Sequence, residues 1–202
     1  MLPPAQDGLA FIAAREAFVA TVYADAHAPA SGFGLNDPAL TPGQTTTMEA
    51  AIEKFVAFNV SLTAQIDKLI GSEITPRLAQ HECDAIRSLA YNVGAGGPYQ
   101  ERPGGGLRFQ KHLLDAIEAY LDADRADAER TAFLRDIVGQ EITLVNSDPT
   151  TGRPFNAGRR WREAILFVQA DYGDLSTLES WPEGKDPRRD KPDLIPMPKF
   201  IS

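Results

Sequence analysis

The sequence predicts an α+β fold that is mostly helical and carries a small β-hairpin near residues 19–35. Apolar residues recur at helical spacing in several stretches, and Gly- and Pro-rich segments separate these stretches. One short run near the start alternates as a strand does and leads into a turn. The apolar content of 43% and charged content of 24% are typical of a globular protein. A chain of 202 residues can build one sizeable core, or two small lobes that share a long helix.

The first predicted helix covers residues 8–18. Leu9, Ile12 and Glu16 recur at i, i+3 and i+7, so Glu16 lies within about 20° of Leu9 around the helix. Asp7 is expected to cap the helix start. A carboxylate on an apolar stripe loses hydration, which disfavours its charged form and suits a general acid. On spacing alone, a helix-end Glu in water or paired with an Arg is the commoner interpretation.

The hairpin prediction rests on a short alternating run, in which Val19, Thr21 and Tyr23 alternate with Ala20, Val22 and Ala24. Asp25 ends this run, and the residues at 28–32 provide turn chemistry. A polar, solvated setting would keep Asp25 ionised. One protonated and one charged carboxyl group is the division of labour that glycosidic bond cleavage requires. A plain turn-forming Asp is the alternative interpretation of Asp25.

The rest of the chain, up to about residue 173, is predicted to be mostly helical, with apolar stripes that we expect to form the core. Thr46 and Glu49 make a capping box for the helix at 47–70, and Gly94 and Gly173 close two later helices. The segments at 94–106 and 146–152 are expected to be exposed loops. The stripes consist of Met48, Ile52, Phe55, Phe58, Leu62, Ile66 and Leu69; Ile86, Leu89, Ala90 and Val93; Phe109, Leu113, Ile117, Tyr120 and Leu121; Phe133, Leu134 and Ile137; and Trp161, Ile165, Val168 and Tyr172.

Composition excludes several classes of function. A net charge of −8 and a pI near 4.9 argue against nucleic acid as a partner, because phosphate binding needs a basic face. No run of about 18 apolar residues is present, so we expect no transmembrane segment. Cys83 is the only cysteine, which excludes an intramolecular disulfide. We expect Cys83 to be a small core residue on its predicted helix. His27, His81 and His112 lack metal-ligand spacing, so we expect no metal site. No Walker-type Gly-Lys-Ser/Thr loop is present, and we expect no cofactor.

Four groups of residues, in order along the chain, together resemble the phage-type lysozymes of glycoside hydrolase family 24. The first is Glu16, eight intervening residues, Asp25, five more and the hydroxyl of Ser31. The others are Thr46-Thr47-Met48-Glu49-Ala50; Cys83-Asp84-Ala85-Ile86 with Tyr91-Asn92-Val93-Gly94; and Gly158-Arg159-Arg160-Trp161-Arg162-Glu163. This ordered set covers roughly residues 8–173.

The resemblance implies a lysozyme-like fold with an active-site cleft between two lobes. Glu16 would protonate the leaving oxygen, while Asp25 and Ser31 would position and activate a water on the opposite face of the sugar. Inversion is implied, which needs carboxyl groups roughly 6.5–9.5 Å apart. The residues expected to bind substrate are Phe33, Gly34, Tyr91, Asn92, Arg159 and Arg160. A salt-bridged helix face for the arginines, a buried Tyr91 and a helix-end Asn92 are the structural alternatives.

The hairpin departs from the family pattern. The family usually has Thr where Ser31 stands, and alignment on Gly32-Phe33-Gly34 would place Ala30 there instead. Leu35 and Asn36 follow the turn, where the family commonly has His. An altered substrate preference or a reduced activity is therefore an open alternative.

The expected function is that of a muramidase that cleaves the β-1,4 bond between N-acetylmuramic acid and N-acetylglucosamine in phage or prophage lysis. An injected antibacterial effector and a non-catalytic glycan-binding or scaffold module are the alternatives. The residues at 1–7 lack the features of a signal peptide. We therefore expect a protein that is made in the bacterial cytoplasm and reaches peptidoglycan through holin-dependent permeabilisation, or through a secretion or virion machine. We also expect a monomer.

The domain prediction is a lysozyme-like catalytic domain at 1–173 and a Pro-rich, charged C-terminal arm at 174–202. The prolines of the arm prevent a regular helix, and its composition prevents a core of its own. The arm is expected to be disordered or to lie along the body, anchored by Trp181, Leu194, Ile195 and Phe200. A docking tail and a packed or frayed terminus are both open.

Overall fold

A computed structural model describes residues 1–24, 29–73, 75–95, 107, 110–124, 126–145 and 156–201. The order of elements in these residues confirms a mostly helical α+β fold. None of the helices described is both long and apolar enough to cross a membrane. The elements are α1 (Gln6–Glu16), β1 (Phe18–Tyr23), β2 (Ala30–Gly32), β3 (Leu35–Asn36), α2 (Met48–Ile70), α3 (Gln80–Val93), α4 (Lys111–Asp122), α5 (Ala128–Leu144), α6 (Ala157–Gln169), β4 (Thr177–Trp181) and β5 (Asp193–Pro196).

The chain packs as two compact units. The helical unit comprises residues 1–4 and 60–171, and the hairpin unit comprises residues 5–59 and 172–202. The C-terminal arm therefore shares a unit with the first helix and the hairpin.

Helix α1 forms the interior of the hairpin unit. Its residues from Gly8 to Ala13 are all buried, so the helix has no wide polar face. Ala5 occupies the N-cap position and makes no side-chain capping bond, so the prediction that Asp7 caps the helix is wrong. Asp7 lies in the first turn instead, where a carboxylate interacts favourably with the helix dipole.

A five-stranded sheet with the order β3-β2-β1-β4-β5 packs in the same unit. Strands β1 and β2 are antiparallel, with Val19 opposite Gly32, which confirms the predicted hairpin. Strand β4 pairs in parallel with β1 through Phe18 and Ser180, and β5 pairs antiparallel with β4. The arm thus supplies two strands that the sequence analysis did not predict.

An aromatic cluster fills the space beside the hairpin. The ring of Phe33 lies 5.8 Å from Phe18, 4.8 Å from Phe55 and 5.7 Å from Phe200, measured between centroids. Phe33 is only 1% exposed. We therefore assign Phe33 to the core rather than to sugar binding. Phe200 is buried as an anchor of the arm, whereas Leu194 is 69% exposed and does not act as one.

The stripe on α3 is confirmed, because Ile86, Leu89, Ala90 and Val93 are all buried and the helix stops before Gly94, which has a φ of 79°. Cys83 is also buried, and burial raises the pKa of its thiol. The predicted loop residues at 96–106 and 146–152, and Phe109, lie outside the described residues.

Other details of the predicted helices are wrong. Phe133 and Trp161 are 64% and 57% exposed, so they are not core residues. Helix α6 ends at Gln169, and Ala170 rather than Gly173 closes it in a left-handed conformation. Thr47, not Thr46, caps α2, because its Oγ1 accepts from the amide of Ala50 at 3.2 Å.

Candidate active site

The C-terminal end of α1 presents Glu16 as a half-buried carboxylate. Residues 8–13 of α1 are buried, and residues 14–16 at its end are half-buried. Ala17 follows with φ 57° and ψ 177°, a conformation that residues other than glycine rarely adopt, and its amide donates to the carbonyl of Ala13 at 2.9 Å. This strained residue turns the chain from α1 into β1. Strain of this kind persists where surrounding structure holds it, and it is frequent at functional sites.

The turn after β2 brings Gly34 against the carboxylate of Glu16. A Cβ atom at residue 34 would lie 3.0 Å from Oε2 of Glu16, and Gly34 has a φ of 76°. Both the close approach and the backbone conformation favour glycine at this position. The structure therefore brings together two of the residues that the sequence offered for the site.

Ser31 lines a pocket of about 360 Å³ in the hairpin unit. Glu16 is not among the described residues that line this pocket. Ala30, the alternative from the other alignment frame, is 1% exposed and carries no hydroxyl group. The remaining lining residues of the pocket are Val22, Leu40, Gln44, Thr45, Thr46 and Lys54.

Asp25 and His27 lie outside the described residues, so the second carboxylate of the predicted pair has no described position. The chain is described up to Ala24, directly after the end of β1. The carbonyl of Ala24 accepts a hydrogen bond from the guanidinium of Arg188 in the C-terminal arm. The arm therefore contacts the residue that immediately precedes Asp25 in the sequence.

In the helical unit, Arg159 and Arg160 surround the buried carboxylate of Glu163. Nε of Arg159 donates to Oε1 of Glu163 at 3.2 Å, and Nε of Arg160 lies 3.0 Å from Oε2. The hydroxyl of Ser88 on α3 donates to the same Oε1 at 2.7 Å. Burial raises the pKa of Glu163, and the two guanidinium groups oppose this shift. The bond from Ser88 joins α6 to α3, whereas the two ion pairs lie within α6.

The end of α3 presents the two other predicted sugar contacts. Tyr91 is half-buried and Asn92 is exposed, and Oδ1 of Asn92 accepts from a terminal nitrogen of Arg160 at 3.0 Å. Arg160 itself is 1% exposed. A side chain buried this deeply cannot contact a glycan directly. We therefore assign Arg160 to positioning Asn92.

Sequence reasoning missed the central position of Glu163, the contribution of Ser88 and the strain at Ala17. A signal for the first was present, because Glu163 follows Arg160 and Arg159 at i+3 and i+4, the spacings at which helical side chains meet. Ser88 and Ala17 have no such local signal, because their roles depend on packing against distant elements.

The sequence and the fold of the chain are similar to those of known proteins. Residues 13–102 match the model of the family described as phage lysozyme. The structure is similar to an endolysin from Escherichia coli O157:H7 phage FAHEc1, with a TM-score of 0.58, 20% identity, and coverage of 86% of this chain and 98% of that one.

A second similar structure is the muramidase domain of SpmX from Asticaccaulis excentricus, with a TM-score of 0.56, 18% identity, and coverage of 82% and 97% of the two chains. No curated protein matches the sequence. The chain therefore has the fold of the phage lysozymes, and the resemblance seen in its motifs is accompanied by a match to that family's model over residues 13–102.

Proposed function

We propose that this protein is a muramidase that hydrolyses the β-1,4 bond between N-acetylmuramic acid and N-acetylglucosamine in peptidoglycan. The observation that carries the proposal is the placement of Glu16, whose carboxylate stands at the end of a buried helix with Gly34 against it. The lysozyme-like fold and the family match over residues 13–102 support the same activity.

In the proposed reaction, Glu16 donates a proton to the glycosidic oxygen as the bond to the leaving sugar breaks. Asp25 acts as the base that takes a proton from water, and Ser31 orients that water. The water attacks the face of the sugar opposite to Glu16, which inverts the anomeric configuration. The roles of Asp25 and Ser31 come from the family resemblance.

Tyr91 and Asn92 are the proposed glycan contacts in the helical unit. An aromatic ring can pack on the apolar face of a sugar, and an exposed amide can donate to its acetamido group. Arg159 and Arg160 would act indirectly rather than on the glycan. Both pair with Glu163, and Arg160 also donates a hydrogen bond to Asn92. The proposed site of action is the cell wall.

Digestion of purified peptidoglycan followed by mass analysis of the products tests the proposal. Wild type should release muropeptides with a reducing N-acetylmuramic acid end, and proton NMR of the first turnovers should show the inverted anomer. Anhydro ends would instead indicate a lytic transglycosylase. Release of nothing from several types of purified sacculi would favour a non-catalytic glycan-binding or scaffold module.

A further inference from the structure

The C-terminal arm, residues 174–202, contacts three parts of the hairpin unit. Strand β4 pairs with β1, Arg188 bonds to Ala24, and Phe200 packs in the aromatic cluster. The arm lies beyond the region of the family match. Each contact lies close in sequence to one of the residues assigned to catalysis.

The first contact fixes the strand that leads to Asp25. Trp181 at the end of β4 lies opposite Val19, and its indole nitrogen donates to the carbonyl of Asp190 at 3.0 Å. Asp186 and Asp190 hold the following loop, since Oδ2 of Asp190 accepts from the amide of Asp186 at 2.8 Å and Oδ1 of Asp186 accepts from the amide of Arg188 at 2.9 Å. These bonds order the loop that carries Arg188.

Arg188 then reaches across to β1. Its guanidinium donates to the carbonyl of Ala24, one residue before Asp25. The loop and the end of β1 enclose a pocket of about 350 Å³, lined by residues 21–24 and 184–188. A charged donor on a backbone carbonyl makes a stronger bond than a neutral one. The end of β1 is thereby restrained from the arm side.

The third contact supports the turn that carries Gly34. Phe200 is 6% exposed, and its ring centroid lies 5.7 Å from Phe33 and 5.4 Å from Phe55. The side chain of Gln6 on α1 fixes this end of the arm, because its Oε1 accepts from the amide of Phe200 at 2.8 Å and its Nε2 donates to the carbonyl of Pro198 at 3.1 Å. The arm therefore bonds to the helix that ends in Glu16 and packs against the residue that precedes Gly34.

We propose that the C-terminal arm positions the catalytic hairpin, with Arg188 acting on the strand end before Asp25 and Phe200 acting on the turn beside Glu16. This inference rests on the proposed muramidase function. Arg188 and Phe200 are positioning residues. Arg188 acts through Ala24 and Phe200 acts through Phe33, rather than on the substrate. A displacement of a reacting group by about 1 Å costs up to about a hundredfold in rate, so modest restraints have measurable effects.

The main experiment compares Arg188→Ala, Arg188→Lys and the matched control Arg189→Ala in the full chain. Arg189 is the neighbouring arginine, it is 84% exposed, and it pairs within the loop with Asp186. We expect Arg188→Ala to lower kcat on peptidoglycan about tenfold with KM and Tm nearly unchanged. Arg188→Lys should recover most of the loss because lysine still donates, and Arg189→Ala should behave as wild type. A wild-type kcat for Arg188→Ala, or an equal loss in Arg189→Ala, would overturn the role of Arg188.

Phe200→Leu, with Ile201→Ala as its control, tests the third contact, that of Phe200 with the aromatic cluster. Leucine keeps the site apolar but removes the ring contacts, so kcat of the fully folded variant should fall about threefold. Ile201 is 42% exposed and should tolerate alanine. Equal kcat values for Phe200→Leu and Ile201→Ala would overturn the role of Phe200.

Amide hydrogen exchange separates this proposal from the proposed function, because it needs no turnover. Exchange of the Thr21–Tyr23 amides should be faster in Arg188→Ala than in wild type and Arg189→Ala, even if the protein hydrolyses nothing. Unchanged exchange would overturn the restraint by Arg188, whatever the activity.

Discussion

Gly34 lies so close to the carboxylate of Glu16 that a methyl group at residue 34 would stand 3.0 Å from Oε2. Contacts of this length are tighter than side chains normally make, so one of the two residues must move if Gly34 is replaced. This relationship links the hairpin directly to the proposed general acid.

Gly34→Ala should therefore lower kcat by about tenfold, because a displaced acid loses its alignment with the glycosidic oxygen. The matched control is Gly43→Ala. Gly43 also has a positive φ, 91°, but no atom lies within 4 Å of a Cβ at that position. Both variants carry backbone strain of about 1 kcal/mol, measurable by urea denaturation. Equal kcat values for the two variants would show that the contact with Glu16 has no catalytic role.

Ala17→Gly should stabilise the protein by about 1 kcal/mol, because glycine removes strain at a φ of 57° that exceeds its own entropic cost. Ala10→Gly provides the opposite case, since Ala10 lies inside α1 and glycine there should destabilise by about 1 kcal/mol. Chemical denaturation measures both. A loss of stability in Ala17→Gly would contradict the strained geometry beside Glu16.

Phe55→Ala should lower the free energy of unfolding by about 3–5 kcal/mol, because Phe55 is fully buried between Phe33 and Phe200. Phe58→Ala on the same helix should cost much less, since Phe58 is 39% exposed. Urea unfolding curves of the two variants provide the comparison. Similar losses would mean that the aromatic cluster is not the core of the hairpin unit.

Glu163→Gln should cost about 3 kcal/mol or more, because it removes the carboxylate that faces the guanidinium groups of Arg159 and Arg160 in a buried site. Glu118→Gln on the exposed face of α4 should change stability by less than about 0.5 kcal/mol. If thermal and urea unfolding gave the same small change for both variants, the buried carboxylate of Glu163, with its bond from Ser88 on α3, would not stabilise the helical unit.

The features that sequence predicted well depend on local chemistry. The apolar spacing of α1 and α3, the alternation of β1 and the stop at Gly94 each follow from residues within a few positions of one another. The family resemblance predicted the lysozyme-like fold, and it predicted that Glu16 and Gly34 belong to the same site. The same local rules misplaced caps at Asp7 and Thr46, where neighbouring residues compete for one position.

The features that sequence did not predict depend on distant partners. Strand β4 pairs with β1 across more than 150 residues of chain, and its short alternation lies in a Pro-rich region where a strand is disfavoured. The exposure of Trp161 has a similar origin, because α6 turns Arg160 and Glu163 inward to bond with α3. Periodicity alone places the large aromatic residue inside.

The central claim is that Glu16 is the general acid of a peptidoglycan hydrolase, and turnover of purified peptidoglycan by Glu16→Gln tests it most directly. Glutamine keeps the size of the side chain but cannot donate the proton, so kcat should fall by about 10²–10⁴-fold while Tm changes little. Glu49→Gln, in the exposed first turn of α2, is the matched control and should retain wild-type turnover. Release of reducing N-acetylmuramic acid ends by folded Glu16→Gln at the wild-type rate would contradict the account.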